Sequence, residues 1–212
     1  MEAHNPDDQL ANLKDWWKQY GNALIAGVVI GVLLLVGGNY WKQYKIKRAE
    51  AASQLYETLL ADLQQGKADA VATAAAKLMQ DYEATPYAGK SALLLARQRF
   101  DSKDIAGART HLEWAMKNAV ESAVQHGARL RLAQLLLDQG ETAAALALVT
   151  IKDTDGFISG YEEIKGDALL AQGDRDGARR AYQTAIEKLP RASSYLPALT
   201  MKRDNLGPEK TP

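Results

Sequence analysis

Between Tyr20 and Trp41 the chain carries no charged side chain, whereas from Ala49 onward its apolar residues recur three and four positions apart. The two patterns predict two kinds of helix. About 20 apolar residues rising 1.5 Å each cross the roughly 30 Å hydrocarbon layer of a bilayer, so residues 20–41 are expected to form a single membrane span. Asn22 and Asn39 bracket that stretch, and Trp16, Trp17 and Tyr20 on one side and Tyr40, Trp41 and Tyr44 on the other stand where amphipathic rings favour headgroups. A cleaved signal peptide fits less well. Glu2, Asp7, Asp8 and Asp15 precede the apolar run, and the A-x-A-like stretch Ala49-Glu50-Ala51 lies beyond a basic cluster. Within the span Ala23, Gly27 and Gly31 recur every fourth residue, a small-residue face on which a second membrane helix, including one from a homodimer partner, could pack.

The helical spacing after the span predicts short hairpins rather than strands. In "GDALLAQGDRDGARRAYQTAIEKLP", residues 166–190, an apolar run breaks at Gly173, Asp174 is placed to cap the next helix, and Ala178, Ala181, Tyr182, Ala185 and Ile186 make an i, i+3, i+4, i+7, i+8 stripe. A hairpin of this size cannot bury its stripe alone, and related copies precede it. Gly140 stands 33 residues before Gly173, Lys103 stands 37 before Gly140, and a weaker unit turns at Gly66. Repeats in the mid-thirties built of paired helices predict an all-α solenoid of about four helix pairs, each completing its core against the next. Residues 193–206 are expected to form a C-terminal capping helix, with Ser193 as its cap and Leu196, Leu199 and Leu206 facing inward. The expected organisation is therefore a short polar head (1–19, with 1–9 disordered), the span (20–41), the helical domain (42–206) and a frayed tail (207–212).

Composition narrows the chemistry. Lys plus Arg and Asp plus Glu both total 26, and 20 basic against 22 acidic residues follow Arg48, so nothing in the net charge points to nucleic acid. Cysteine is absent, which removes disulfides, thiolate nucleophiles and Cys-ligated zinc. His4, His111 and His126 are the only imidazoles, none four residues from another, so zinc spacing is missing; His111 reads as a partly buried member of a packing helix. In "GFISG", residues 156–160, the serine comes one place too late for a nucleophile elbow. Glu162 and Glu163, or Asp174 and Asp176, fall at turns and solvated faces. The sequence predicts no enzyme, cofactor or metal site.

Residues 159–192 resemble a tetratricopeptide repeat: Gly166, Ala178, Tyr182, Ala185 and Pro190 stand at that motif's spacing, with Glu162 and Lys165 at its leading Trp and Leu positions. The whole arrangement, closest at "LKDWWKQYGNALIAGVVIGVLLL" and at residues 165–182, resembles the YfgM family. The resemblance implies an ancillary subunit of the bacterial SecYEG translocon, working beside the membrane chaperone PpiD on newly exported polypeptides. It also implies an inner-membrane protein with a cytoplasmic N-terminus and a periplasmic helical domain. Local charge points the other way, because Lys42, Lys45, Lys47 and Arg48 follow the span and only Lys14 and Lys18 precede it closely. That rule weakens for long translocated domains, and the periplasm is the expected side.

Carried across by the repeat shifts, Arg97, Gln134 and Asp167 fall in one inward column and Phe100, Leu137 and Leu170 in another. Apolar contacts tolerate varied sequence while polar groups satisfy backbone, so such a groove suits extended or partly folded polypeptide. Two roles follow: a chaperone-like factor at the export channel, or a scaffold organising an envelope complex through the same groove.

Overall fold

The computed structural model describes residues 6–154, 156–190 and 192–207; residues 1–5 and 208–212, where the disordered start and most of the frayed tail were expected, lie outside them. All regular structure among the described residues is helical: α1 Pro6–Gln64, α2 Ala68–Asp81, α3 Pro86–Asp101, α4 Ile105–Asn118, α5 Ser122–Asp138, α6 Thr142–Val149, α7 Ile158–Ala171, α8 Arg175–Lys188 and α9 Leu196–Asp204. The chain divides into two compact units, Met1–Glu50 and Ala51–Pro212.

The first unit consists of the leading part of α1. Helix begins earlier than expected, since Pro6–Gln9 are already helical; a proline tolerates the first helical position because the N–H it lacks has no partner there anyway. The apolar window in this helix has a hydropathy of 2.2 and only 6% of it is buried. Leu33, Leu34, Leu35 and Val36 are all more than half exposed, a contiguous apolar surface that water would not support and hydrocarbon would. Trp17 lies over Gly21, where an added Cβ would sit 3.1 Å from the indole.

The second unit holds the four predicted helix pairs and their cap: residues 51–64 of α1 with α2, α3 with α4, α5 with α6, α7 with α8, then α9. The turn inside each pair falls at its predicted position. Gly66, Gly140 and Gly173 take φ of 71°, 77° and 85°, and Lys103 takes 66°, a left-handed conformation that costs an ordinary L-residue about 1–2 kcal/mol. After two of these turns an aspartate caps the next helix, the Asp104 carboxylate accepting from the Gly107 N–H at 2.9 Å and that of Asp174 from the Gly177 N–H at 2.8 Å. Each such bond satisfies a donor that the first turn leaves open.

Alanine dominates where paired helices touch. Ala52, Ala75, Ala92, Ala115, Ala128 and Ala145 are fully buried. Two larger clusters join the units of the stack, one around Leu59, Val71, Leu78 and Leu95 and one around Leu112, Leu132, Leu136, Val149, Tyr161 and Ile164. Polar bonds add to the α5–α7 seam: His126 Nδ1 lies 2.7 Å from the Tyr161 hydroxyl, and its ring stacks on Phe157 at 5.2 Å.

The repeat signature occupies one interface. Gly166 lies beneath Tyr182, whose Cε1 would be 2.5 Å from an added Cβ; Ala178, Tyr182 and Ala185 are buried; Pro190 follows the end of α8 at Lys188 and is exposed. The cap differs from its expected bounds. Ser193 Oγ accepts from the Tyr195 N–H at 3.2 Å in a turn before the helix, so α9 begins only at Leu196. Leu199 is fully buried, Leu196 is half-buried, and Leu206, past the end of the helix, is buried against Ala178 and Tyr182.

Two substitutions test this packing in the detergent-solubilised full chain by urea unfolding. Gly166→Val should destabilise the domain by about 1–3 kcal/mol through collision with Tyr182. Lys103→Gly should stabilise it by roughly 0.5–1 kcal/mol by relieving the left-handed turn.

Candidate protein-binding groove

The first helices of the first three pairs, α1, α3 and α5, together with α4, line an open depression of about 640 Å³. Ala96, Ala108, Leu112 and Leu135 make its buried floor, and Leu93 and Leu94 form half-buried walls. Phe100 stands at the edge with 39% of its surface exposed. Tyr56, Lys90, Arg97, Arg131, Gln134 and Asp138 supply the polar rim.

The rim is held by short bonds. Arg97 Nε donates to Asp101 at 2.8 Å, Gln134 Nε2 to Asp138 at 3.0 Å, and Lys90 lies 3.4 Å from Glu121. Arg131 donates to the Gly127 carbonyl of its own helix, at 3.3 Å. Burial raises the pKa of Tyr56, with the charge of Lys90 opposing it, so its phenol is neutral and able to donate at pH 7. The depression thus combines apolar floor with donors and acceptors around it, at a volume within the range of pockets that take a drug-sized ligand or a short stretch of chain.

Of the six groove positions read from the sequence, Arg97, Phe100 and Gln134 line this depression. Leu137 instead packs against the core around Leu136 and Val149. Leu170, on α7, is 37% exposed and outside the depression. Asp167 is engaged by the cap: it accepts from the Tyr182 hydroxyl at 2.7 Å and pairs with Lys202 of α9 at 2.8 Å. Lys202 also reaches Glu163 at 2.7 Å, and Glu163 accepts from the Tyr195 hydroxyl at 2.7 Å.

Tyr56, Lys90, Leu93, Leu94, Arg131, Leu135 and Asp138 are lining residues that the column argument missed. Part of this was within reach, since Leu94 and Arg131 are separated by the 37 residues that also separate Arg97 and Gln134. In the span, Gly27 and Gly31 face open space, where an added Cβ would meet nothing within 4 Å; Gly31 is half-buried, and Ala23 and Gly27 are exposed. His111 is half-buried on α4, and that burial, with the charge of Arg99, lowers its pKa against the opposing effect of Asp104. No group of three or more metal-ligating side chains occurs among the described residues.

The model of a tetratricopeptide repeat-like domain family matches residues 14–208. A protein of Neisseria gonorrhoeae named "Ancillary SecYEG translocon subunit" is 33% identical over 97% of this chain and 100% of its own length. Proteins of the same name from Escherichia coli strain K12 and Haemophilus influenzae are 29% and 25% identical, covering 97% and 84% of this chain and 99% and 87% of their own lengths.

The network on α9 sets a pH dependence. Burial lowers the pKa of Lys202, but its bonds to Asp167 and Glu163 and their charges outweigh this, and the net shift is upward from 10.5. Tyr182 is pushed up by burial first and then by Asp167, and Tyr195 by its bond to Glu163 first and then by burial. All three groups bind their protons more tightly in the folded chain, so the stability they contribute is complete below about pH 10 and is lost as pH rises through the folded values. Thermal melts of the full chain between about pH 8 and 11 should show the fall. Lys202→Met should cost about 1–3 kcal/mol at neutral pH by leaving two carboxylates without their cation, while the part of the alkaline fall due to Tyr182 and Tyr195 should remain.

Proposed function

The chain belongs to the tetratricopeptide repeat-like family of ancillary SecYEG translocon subunits, and on that premise we propose that it works as a membrane-tethered accessory protein at a SecYEG-type channel. Its α3–α5 groove takes up stretches of newly exported polypeptide before they fold. The observation that carries this reading is the open depression at Phe100, Leu94 and Arg97, apolar below and hydrogen-bonding at the rim. A chain that has not folded presents scattered apolar side chains and unsatisfied backbone groups, and such a groove meets both without demanding a fixed sequence. It holds and does not make or break bonds, which suits a chaperone-like role beside a PpiD-like membrane chaperone.

The span fixes the domain at the bilayer, in a bacterial inner membrane, with the N-terminus in the cytoplasm and residues 51–212 in the periplasm. Long translocated domains follow flanking charge only weakly, so Lys42 to Arg48 do not forbid that orientation. A tether of this kind raises the local concentration of the groove at the channel mouth and lets a weak, sequence-tolerant site act.

Photoreactive residues at Leu94 and Phe100 in the full-length protein, in membrane vesicles carrying a stalled exported chain, should crosslink to that chain, while one at exposed Met201 on α9 should not. Crosslinks from the groove only to permanent channel subunits would overturn the client-handling reading and favour a scaffold. A reporter active in a single compartment, fused to the C-terminus, should report the periplasm.

A further inference from the structure

Immediately after the apolar window, α1 carries a second kind of surface. Trp41, Tyr44, Lys45 and Arg48 recur at i, i+3, i+4 and i+7 and so share one helix face. Their side chains are organised: the Trp41 and Tyr44 rings stack with centroids 6.0 Å apart, the Lys45 ammonium lies 5.5 Å from the centre of the Trp41 ring, and the Arg48 guanidinium lies 5.9 Å from that of Tyr44 while donating to its hydroxyl at 2.9 Å. Lys42 and Lys47 flank the face, and Lys42, Lys45 and Lys47 are all exposed. No acidic residue occurs from Tyr20 through Ala49, and among the described residues no ion pair reaches any of these three lysines.

We propose that this collar is a binding site for the headgroups of acidic phospholipids. Trp41 to Lys45 covers about 6 Å of helix, comparable with the depth of one headgroup layer, so rings at the hydrocarbon boundary place the ammonium groups level with lipid phosphates. Charge complementarity selects the occupant: Lys42, Lys45 and Lys47, without carboxylate partners among the described residues and continuous with an apolar rod, meet acidic lipid wherever the rod sits in a bilayer. Holding Lys45 against the indole orders it before the lipid arrives, which lessens the entropy lost on binding. The other end of the span is less suited, because Lys14 and Lys18 have Asp15 between them. The site is independent of what the groove binds and of which side the domain occupies.

The test uses the full-length protein in vesicles of nine parts phosphatidylcholine to one part phosphatidylglycerol, with co-purifying lipids counted by native mass spectrometry. Phosphatidylglycerol should be enriched over the bulk by about five-fold or more, the factor that one lysine near an acidic surface supplies. Lys42→Gln/Lys45→Gln/Lys47→Gln should return the ratio to the bulk value, whereas Lys14→Gln/Lys18→Gln should leave the enrichment in place. In the unaltered protein, salt of about 1 M, where screening acts within about 3 Å, should abolish it, so the outcome does not depend on how the triple variant inserts. Enrichment that survives the triple substitution or high salt would overturn the proposal, as would a bulk ratio in the unaltered protein. Loss of enrichment on adding millimolar inorganic phosphate would mark a soluble-anion site and overturn it as well; so would enrichment seen only when an acidic channel subunit is present.

Discussion

Close approach of helix to helix is the constraint on which the soluble unit depends. At Ala52, Ala75, Ala92, Ala115, Ala128 and Ala145 the side chain is a methyl group with no exposed surface, and at Gly166 there is none at all beneath the Tyr182 ring. Small residues let helix axes come within the 8–10 Å that ridge-and-groove packing requires. They also contribute little apolar area each, so the leucines and tyrosines between pairs carry most of the hydrophobic stabilisation. A stack built this way tolerates varied surfaces and resists enlargement at its seams.

The turns and the pairing were legible because each rests on local chemistry. A reversal that needs positive φ selects glycine, and Gly66, Gly140 and Gly173 mark three of four; Lys103 was found because repeat arithmetic reached past its residue type. Asp174 announces a helix start for a reason equally local, a carboxylate over open N–H groups, and the structure shows Asp104 doing the same after Lys103. The groove was less legible. Whether a side chain faces the depression or a neighbouring helix depends on how adjacent pairs rotate against one another, and no periodicity within one pair contains that rotation. Hence Arg97, Phe100 and Gln134 line it, while Leu137 turns to the core and Asp167 to Lys202. The late start of α9 followed from a serine that builds a turn rather than a cap, two uses of one hydroxyl that sequence does not separate.

In the first unit the same kind of argument runs with the solvent changed. Leucine and valine side chains that stay largely exposed along α1 would be a defect in water. In hydrocarbon they are the ordinary surface of a span, and the aromatic residues at each end mark where that solvent stops. Glycines at 27 and 31 keep a flat strip open along the rod, and unlike the glycines of the turns they owe nothing to backbone conformation.

Helix α6 is only 8 residues long and is followed by residues 150–154 and 156–157, which lack regular structure apart from a bend and a turn. In a stack where each pair leans mainly on its neighbours, cooperativity is only as strong as its thinnest join. Here the buried core bridges the short member, Val149 at the end of α6 sharing one cluster with Tyr161 and Ile164 of α7, so front and rear of the array are fastened by side chains where backbone helix runs out.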